Sequence, residues 1–129
     1  MTCIINASTT NNLQISSDGS GIVKVQSNGV TTNALAWVSY NASTQTIRAS
    51  YNISSVTYTS TGIFTVNLTT ATTDTNYVIC GTFNHPASNA IAFSENSSVT
   101  RTTSAFGIVS LDAGSYYNPT YLSVAIFGN

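Results

Sequence analysis

Apolar and polar positions alternate along most of this chain. In Ile63-Phe64-Thr65-Val66-Asn67-Leu68, the residues Phe64, Val66 and Leu68 fall on one face of an extended strand, with Thr65 and Asn67 on the other. That is the period-two pattern of a sheet with one buried face. No stretch repeats apolar residues at helical spacing for three turns, so the pattern predicts strands and loops almost throughout. The strand runs are Ile22 to Gln26, Ala34 to Tyr40, Thr46 to Tyr51, Val56 to Thr59, Ile63 to Leu68, Tyr77 to Phe83, Ala90 to Phe93, Ala105 to Leu111 and Tyr121 to Phe127. Turn chemistry separates them, in Ser27-Asn28-Gly29, Asn41-Ala42-Ser43, Ser60-Thr61-Gly62, Asn84-His85-Pro86, Ala113-Gly114-Ser115 and Asn118-Pro119. Short strands at this spacing predict an all-β fold, an antiparallel β-sandwich of jelly-roll-like form.

Residues 1 to 33 read differently. Their short apolar stretches are separated by long polar ones such as Asn6-Ala7-Ser8-Thr9-Thr10-Asn11-Asn12, too little hydrophobic surface to fold alone. The expectation is an extended N-terminal arm or shaft over 1–33 that packs on its counterparts in an oligomer, followed by the sandwich domain over 34–129. The segments Leu13 to Gly19 and Val23 to Gly29 both place alternating apolar residues before a turn ending in Gly. Chance similarity explains two such copies as well as an internal repeat does.

Composition narrows the function classes. Charged residues are 5% of the chain, against about a quarter in ordinary soluble domains, and Ser, Thr and Asn take their place. The surface is therefore solvated by hydroxyls and amides, which favours close uncharged contacts between copies. Lys24, Arg48 and Arg101 are scattered, so phosphate neutralisation, and with it nucleic-acid binding, is not expected. Attraction to an anionic membrane surface fails for the same reason, and no window approaches the apolar length of a membrane span. The start, Met1-Thr2-Cys3-Ile4-Ile5-Asn6, lacks the basic and apolar regions of a signal peptide. Without one, the glycosylation patterns at Asn6, Asn41, Asn52, Asn67 and Asn96 follow from composition. Cys3 and Cys80 read as a terminal thiol and a buried strand residue in preference to a disulfide.

The inventory for acid, base or nucleophilic chemistry is small. His85 is the one histidine, and Asn84-His85-Pro86 reads as a turn facing solvent. With Asp112 and one of many serines it could make a triad on paper, but nothing resembles a nucleophile elbow. The carboxylates Asp18, Asp74, Glu95 and Asp112 are dispersed, which argues against a glycosidase pair; Asp18, Asp74 and Asp112 read as turn residues. No metal-ligand spacing is present in one chain, although three copies of His85 could meet on a three-fold axis. The expectation is thus no catalytic residue, no metal and no cofactor. Aromatic residues carry more information, because Tyr and Trp offer large rigid faces to sugars and proteins. Trp37, in mid-strand, reads as an anchor of the core or of a subunit interface. Tyr116, Tyr117, Asn118 and Tyr121, with His85, form the candidate binding set around the loop Gly114 to Thr120.

The segments Thr31-Thr32-Asn33-Ala34-Leu35-Ala36-Trp37-Val38-Ser39-Tyr40-Asn41 and Ile47-Arg48-Ala49-Ser50-Tyr51-Asn52-Ile53-Ser54-Ser55-Val56 resemble a domain of fibre and other virion proteins of tailed phages, notably those of aquatic bacteria and cyanobacteria. The likeness continues through Thr61 to Ala71, with its Gly-aromatic-Thr-Val-Asn strand, and the Asp-x-Asn-Tyr turn at Asp74 to Tyr77, and ends with Tyr121 to Phe127. It covers most of residues 22–129. The resemblance implies a trimeric β-rich virion component whose middle strands are scaffold and whose segment 84–120 is the variable, surface-presenting part; it implies no catalytic residues. Family members are often the far end of a long fibre, whereas here the domain starts near Met1, so the arm is expected to attach to other virion proteins of the tail or capsid.

Together these readings lead to a non-enzymatic virion protein, assembled in the host cytoplasm as a homotrimer and presenting a surface to a host glycan. The alternatives are a capsid decoration or head-fibre protein with a purely structural role, a polysaccharide-degrading enzyme by analogy alone, and a bacterial adhesin or self-assembling surface protein.

Overall fold

A computed structural model describes residues 25–28, 30–86 and 91–128, which contain eleven strands and no helix. They are β1 (Gln26–Ser27), β2 (Val30–Thr31), β3 (Ala36–Asn41), β4 (Thr46–Tyr51), β5 (Ile53–Ser60), β6 (Ile63–Leu68), β7 (Val78–Phe83), β8 (Ile91–Glu95), β9 (Ala105–Asp112), β10 (Ser115–Tyr116) and β11 (Leu122–Phe127). Apart from the β1/β2 hairpin, they form two antiparallel sheets packed as a sandwich. One sheet has the order β4-β3-β11-β7, the other β5-β6-β9, with β8 and β10 also paired to β9. Both β8 and β10 register against Leu111 and Asp112, so they occupy opposite edges of β9. The strands at Thr46–Tyr51 and Ile63–Leu68 match the expected runs to the residue, and the Val56 to Thr59 run is the middle of the longer β5. The arm expected over 1–33 lies mostly outside the described residues, as do Asp18, Lys24 and Cys3.

The chain crosses from the first sheet to the second at Asn52, between β4 and β5. Its φ of 55° lies in the left-handed region that Asn tolerates better than most residues. Its amide then fixes the corner: Nδ2 donates to the Leu35 and Thr70 carbonyls, each at 3.1 Å, and Oδ1 accepts from the Thr70 N–H at 2.8 Å. The turn reading of Asp74 holds as well, its Oδ1 accepting the Asn76 N–H at 2.7 Å.

Alternation builds the core. Phe64, Val66 and Leu68 are buried from β6, and Ala36, Val38 and Tyr40 from β3, with Leu122, Val124 and Ile126 from β11 and Phe106 and Ile108 from β9. Aromatic contacts join the two layers: Phe64 meets the Tyr40 ring edge-on at 5.8 Å and the Tyr58 ring at 6.0 Å. Tyr77 meets Phe106 at 5.8 Å and donates its hydroxyl to the Thr102 carbonyl at 2.8 Å. The buried Tyr40 hydroxyl, by contrast, has no hydrogen-bond partner among the described residues. Burial, reinforced by Tyr58, pushes its phenol above the usual tyrosine range. Removing an unsatisfied buried hydroxyl removes its desolvation cost. Tyr40→Phe is therefore expected to raise stability by about 1 kcal/mol, read as a higher urea midpoint with an unchanged slope.

The edge strands β7 and β8 meet across one side of the sandwich. Phe93 of β8 covers Gly81 of β7 so closely that an added Cβ would fall 2.4 Å from its ring. Arg101 latches the seam. Its Nε and Nη2 donate to the two carboxylate oxygens of Glu95 at 2.8 and 2.5 Å, and Nη1 donates to the Tyr77 carbonyl at 2.7 Å. These hydrogen bonds from Arg101 hold the Glu95 carboxyl below the usual range. A carboxyl whose folded pKa is depressed contributes stability above its unfolded pKa, and that contribution fades as pH falls through the folded value. The pair is about one-third exposed, so its worth is about 1 kcal/mol or less. Glu95→Gln is expected to lower the melting temperature at neutral pH, with the difference from the parent protein disappearing as pH falls below about 4.

Candidate binding face

The loop end of the molecule brings the expected residues together in two groups. In the first, His85 Nε2 donates to Asp112 Oδ2 at 3.1 Å, and the imidazole lies against Tyr117 with 4.5 Å between ring centroids. The His85 side chain is 10% exposed. The reading of His85 as a solvent-facing turn residue is thus corrected: Asp112, at the end of β9, offers a carboxylate that draws the ring inward beneath Tyr117. Tyr117 is also fixed through its carbonyl, which accepts from Ser110 Oγ at 2.6 Å. Asn118 is held by its own side chain, Oδ1 accepting the Gly62 N–H at 2.8 Å and Nδ2 donating to the Tyr58 hydroxyl at 3.4 Å. Tyr117 and Asn118 therefore shape the loop, while Tyr116, on β10, is exposed.

Tyr121 belongs to the second group, on the outer face of the first sheet. Its ring is 56% exposed. The Arg48 guanidinium carbon sits over it, 3.9 Å from the ring centroid, a cation–π contact that steadies both side chains. Arg48 reaches that position because β4 bulges. Ser39 pairs with Ala49 but Tyr40 pairs with Ile47, leaving Arg48 as the extra residue, and a bulge re-aims a side chain in this way. On the opposite side, Asn84 binds the Tyr121 backbone twice: its N–H donates to the Tyr121 carbonyl at 3.0 Å, and its Oδ1 accepts the Tyr121 N–H at 2.7 Å.

Strand register shows what else this face carries. Trp37 pairs with Tyr51 on β4 and with Ala125 on β11, and Ala125 pairs with Cys80 on β7. One step along the strands, Ser39 pairs with Ala49 and Ser123, and Ser123 pairs with Thr82. Because Val38, Tyr40, Leu122, Val124 and Ile126 point into the core, these intervening residues all point outward. The result is an open groove of about 450 Å³ with Ser39, Ser123, Thr82 and Ala125 along its floor and Trp37 and Cys80 beside it. Tyr121 lies four residue steps before Ala125, just ahead of β11, roughly 13 Å along an extended strand. The face thus has an aromatic ring near each end and small hydroxyl-bearing residues between.

One expectation is narrowed here and one is overturned. Trp37 does not anchor the core; it is 40% exposed on the outer face, because Val38 and Tyr40 take the inward positions of β3. Cys80 is a strand residue but an exposed one, since Ile79 takes the half-buried inward position beside it and Phe83 fills the core at the end of β7.

The outward set was partly legible, for Trp37 and Ser39 share a parity opposite to Val38 and Tyr40. Arg48 was not, because nothing in Thr46 to Tyr51 announces the bulge. No family model matches this chain, and no curated protein or solved structure matches it either.

Proposed function

We propose that this chain is a non-enzymatic adhesive module of a virion, of the tailed-phage fibre type, which assembles as a trimer and presents a glycan-binding surface. One observation carries the reading: the outer face of the first sheet exposes Trp37 beside a shallow groove that includes Ser39, Ser123 and Thr82, with Tyr121 exposed farther along the same face. Exposed aromatic faces gathered beside hydroxyls, with few charges, are what pyranose rings stack on and hydrogen-bond to. The resemblance to phage fibre domains supports the virion setting. The segments that carry it correspond to β3, β4 with the Asn52 corner, β6 and the Asp74 turn. Trimerisation is supported by the near absence of charge, which leaves little electrostatic repulsion between copies.

The test is the solution mass of the full chain by light scattering together with its binding to a glycan array. The expected results are a mass three times 13.5 kDa and retention on a subset of glycans. A trimer that binds no glycan would favour the decoration or head-fibre role, and a monomer that binds none would reject the proposal.

A further inference from the structure

We infer that the outer groove of the first sheet takes an extended acidic saccharide, with a ring stacked on Trp37 and a carboxylate held by Arg48 beside Tyr121. This rests on the glycan-binding reading and adds the class of sugar and the residues that select it.

The described carboxylates are Asp74, Glu95 and Asp112. Asp74 accepts a backbone N–H in its own turn, Glu95 pairs with Arg101, and Asp112 pairs with His85. None pairs with Arg48, and among the described residues none lies on the outer rows of the first sheet. That face therefore carries one described cation and no described anion, and among the described charges an anionic ligand meets attraction with none opposing it.

Geometry makes the cation usable. A guanidinium held over an aromatic ring face by cation–π attraction does not spend its N–H donors on hydrogen bonds to that ring, so they can engage a carboxylate in the paired fashion that suits Arg. The bulge at Arg48 and the two hydrogen bonds between Asn84 and the Tyr121 backbone position both partners of the contact before any ligand arrives. Little side-chain freedom is then lost on binding. Trp37, roughly 13 Å away along the strands, is too far to act on the same sugar ring. The two aromatic residues thus address different units of one chain, and Ser39, Ser123 and Thr82 supply donors and acceptors for the hydroxyls between them. A ligand with a carboxylate on each unit, such as a polyuronic acid, presents one to Arg48 in whichever register a sugar ring stacks on Trp37.

The probe is polygalacturonate, compared with its fully methyl-esterified form, which keeps the sugar and removes the charge. Affinity would be measured by calorimetry for the full chain and for Arg48→Gln, Trp37→Ala and Thr59→Ala, the last on β5 of the other sheet. Each of the first two is exposed, and retained thermal unfolding would verify that each variant folds. The expected result is binding of the charged polymer that weakens about tenfold in Arg48→Gln, the loss of one charge-assisted contact. It should also weaken in Trp37→Ala, stay unchanged in Thr59→Ala and fall with added salt. The esterified polymer should bind the parent protein no better than the charged polymer binds Arg48→Gln. Equal binding of the two polymers, or an unaffected Arg48→Gln, would overturn the acidic class and leave the adhesive reading standing. Failure of both polymers, with a Trp37→Ala chain that dissociates to monomer, would assign the face to a second copy and overturn the inference. Failure of both polymers and of every glycan on an array would remove the glycan reading as well.

Discussion

Phe64→Ala is expected to cost about 3–5 kcal/mol, the range for truncating a fully buried phenylalanine. That is a large share of the 5–15 kcal/mol that holds a domain of this size together. Phe64 is 0% exposed and stands between the layers, touching Tyr40 of the first sheet and Tyr58 of the second. Its removal loses the transfer free energy of the ring and both aromatic contacts. The cavity cannot collapse easily, because the neighbouring Val66 and Ile108 are fixed in paired strands. Urea unfolding should show the midpoint falling steeply. Phe64→Leu, which keeps most of the volume, should recover much of the loss.

Gly62→Ala should be nearly as damaging, for a reason of backbone and not of burial. Gly62 closes the turn between β5 and β6 at a φ of 69°, where any side chain costs roughly 1–2 kcal/mol. An added Cβ would also fall 2.5 Å from the Ser110 carbonyl oxygen and 2.7 Å from the Tyr117 nitrogen. Those two atoms share a hydrogen bond of 3.0 Å, and Gly62 itself bonds to Ser110 and to the Asn118 side chain. The substitution must displace the loop after β10 and so disturb the setting of Tyr117 against His85. The expected cost is about 3 kcal/mol or more, combining the strained backbone with the weakened hydrogen bonds, along with faster amide exchange at Tyr117. Gly114 supplies the contrast. It has a φ of 82° but nothing within 4 Å of an added Cβ, so Gly114→Ala should cost only the backbone term, about 1 kcal/mol.

Residues with strong local signals were the readable ones. Thr46 to Tyr51 and Ile63 to Leu68 alternate without interruption between clear turn residues, and they form strands with those bounds. Asp74 was readable because an Asx turn is made within three residues. His85 misled because Pro86 signals a turn, whereas the ring's position is decided by Asp112, which lies 27 residues away in sequence and is brought close by sheet pairing. Trp37 was read as an anchor of the core or of a subunit interface, and parity along β3 removes the first of these by assigning the inward positions to Val38 and Tyr40. The loop residues Tyr116, Tyr117, Asn118 and Tyr121 could be grouped from sequence but not sorted. Only the fold separates Tyr117 and Asn118, which hold the loop, from Tyr116, which lies exposed, and from Tyr121, which joins Arg48 on another face.

Trp37 is the single tryptophan of the chain, so its fluorescence reports on one point of the outer face. The most direct test follows its emission while the full chain is titrated with a saccharide that it retains. Saturable movement of the emission to shorter wavelength, with the same midpoint as binding measured independently, is the predicted result, because a stacked sugar excludes water from the exposed ring. Binding that leaves Trp37 emission unchanged would place the adhesive surface elsewhere and contradict the role assigned to this face.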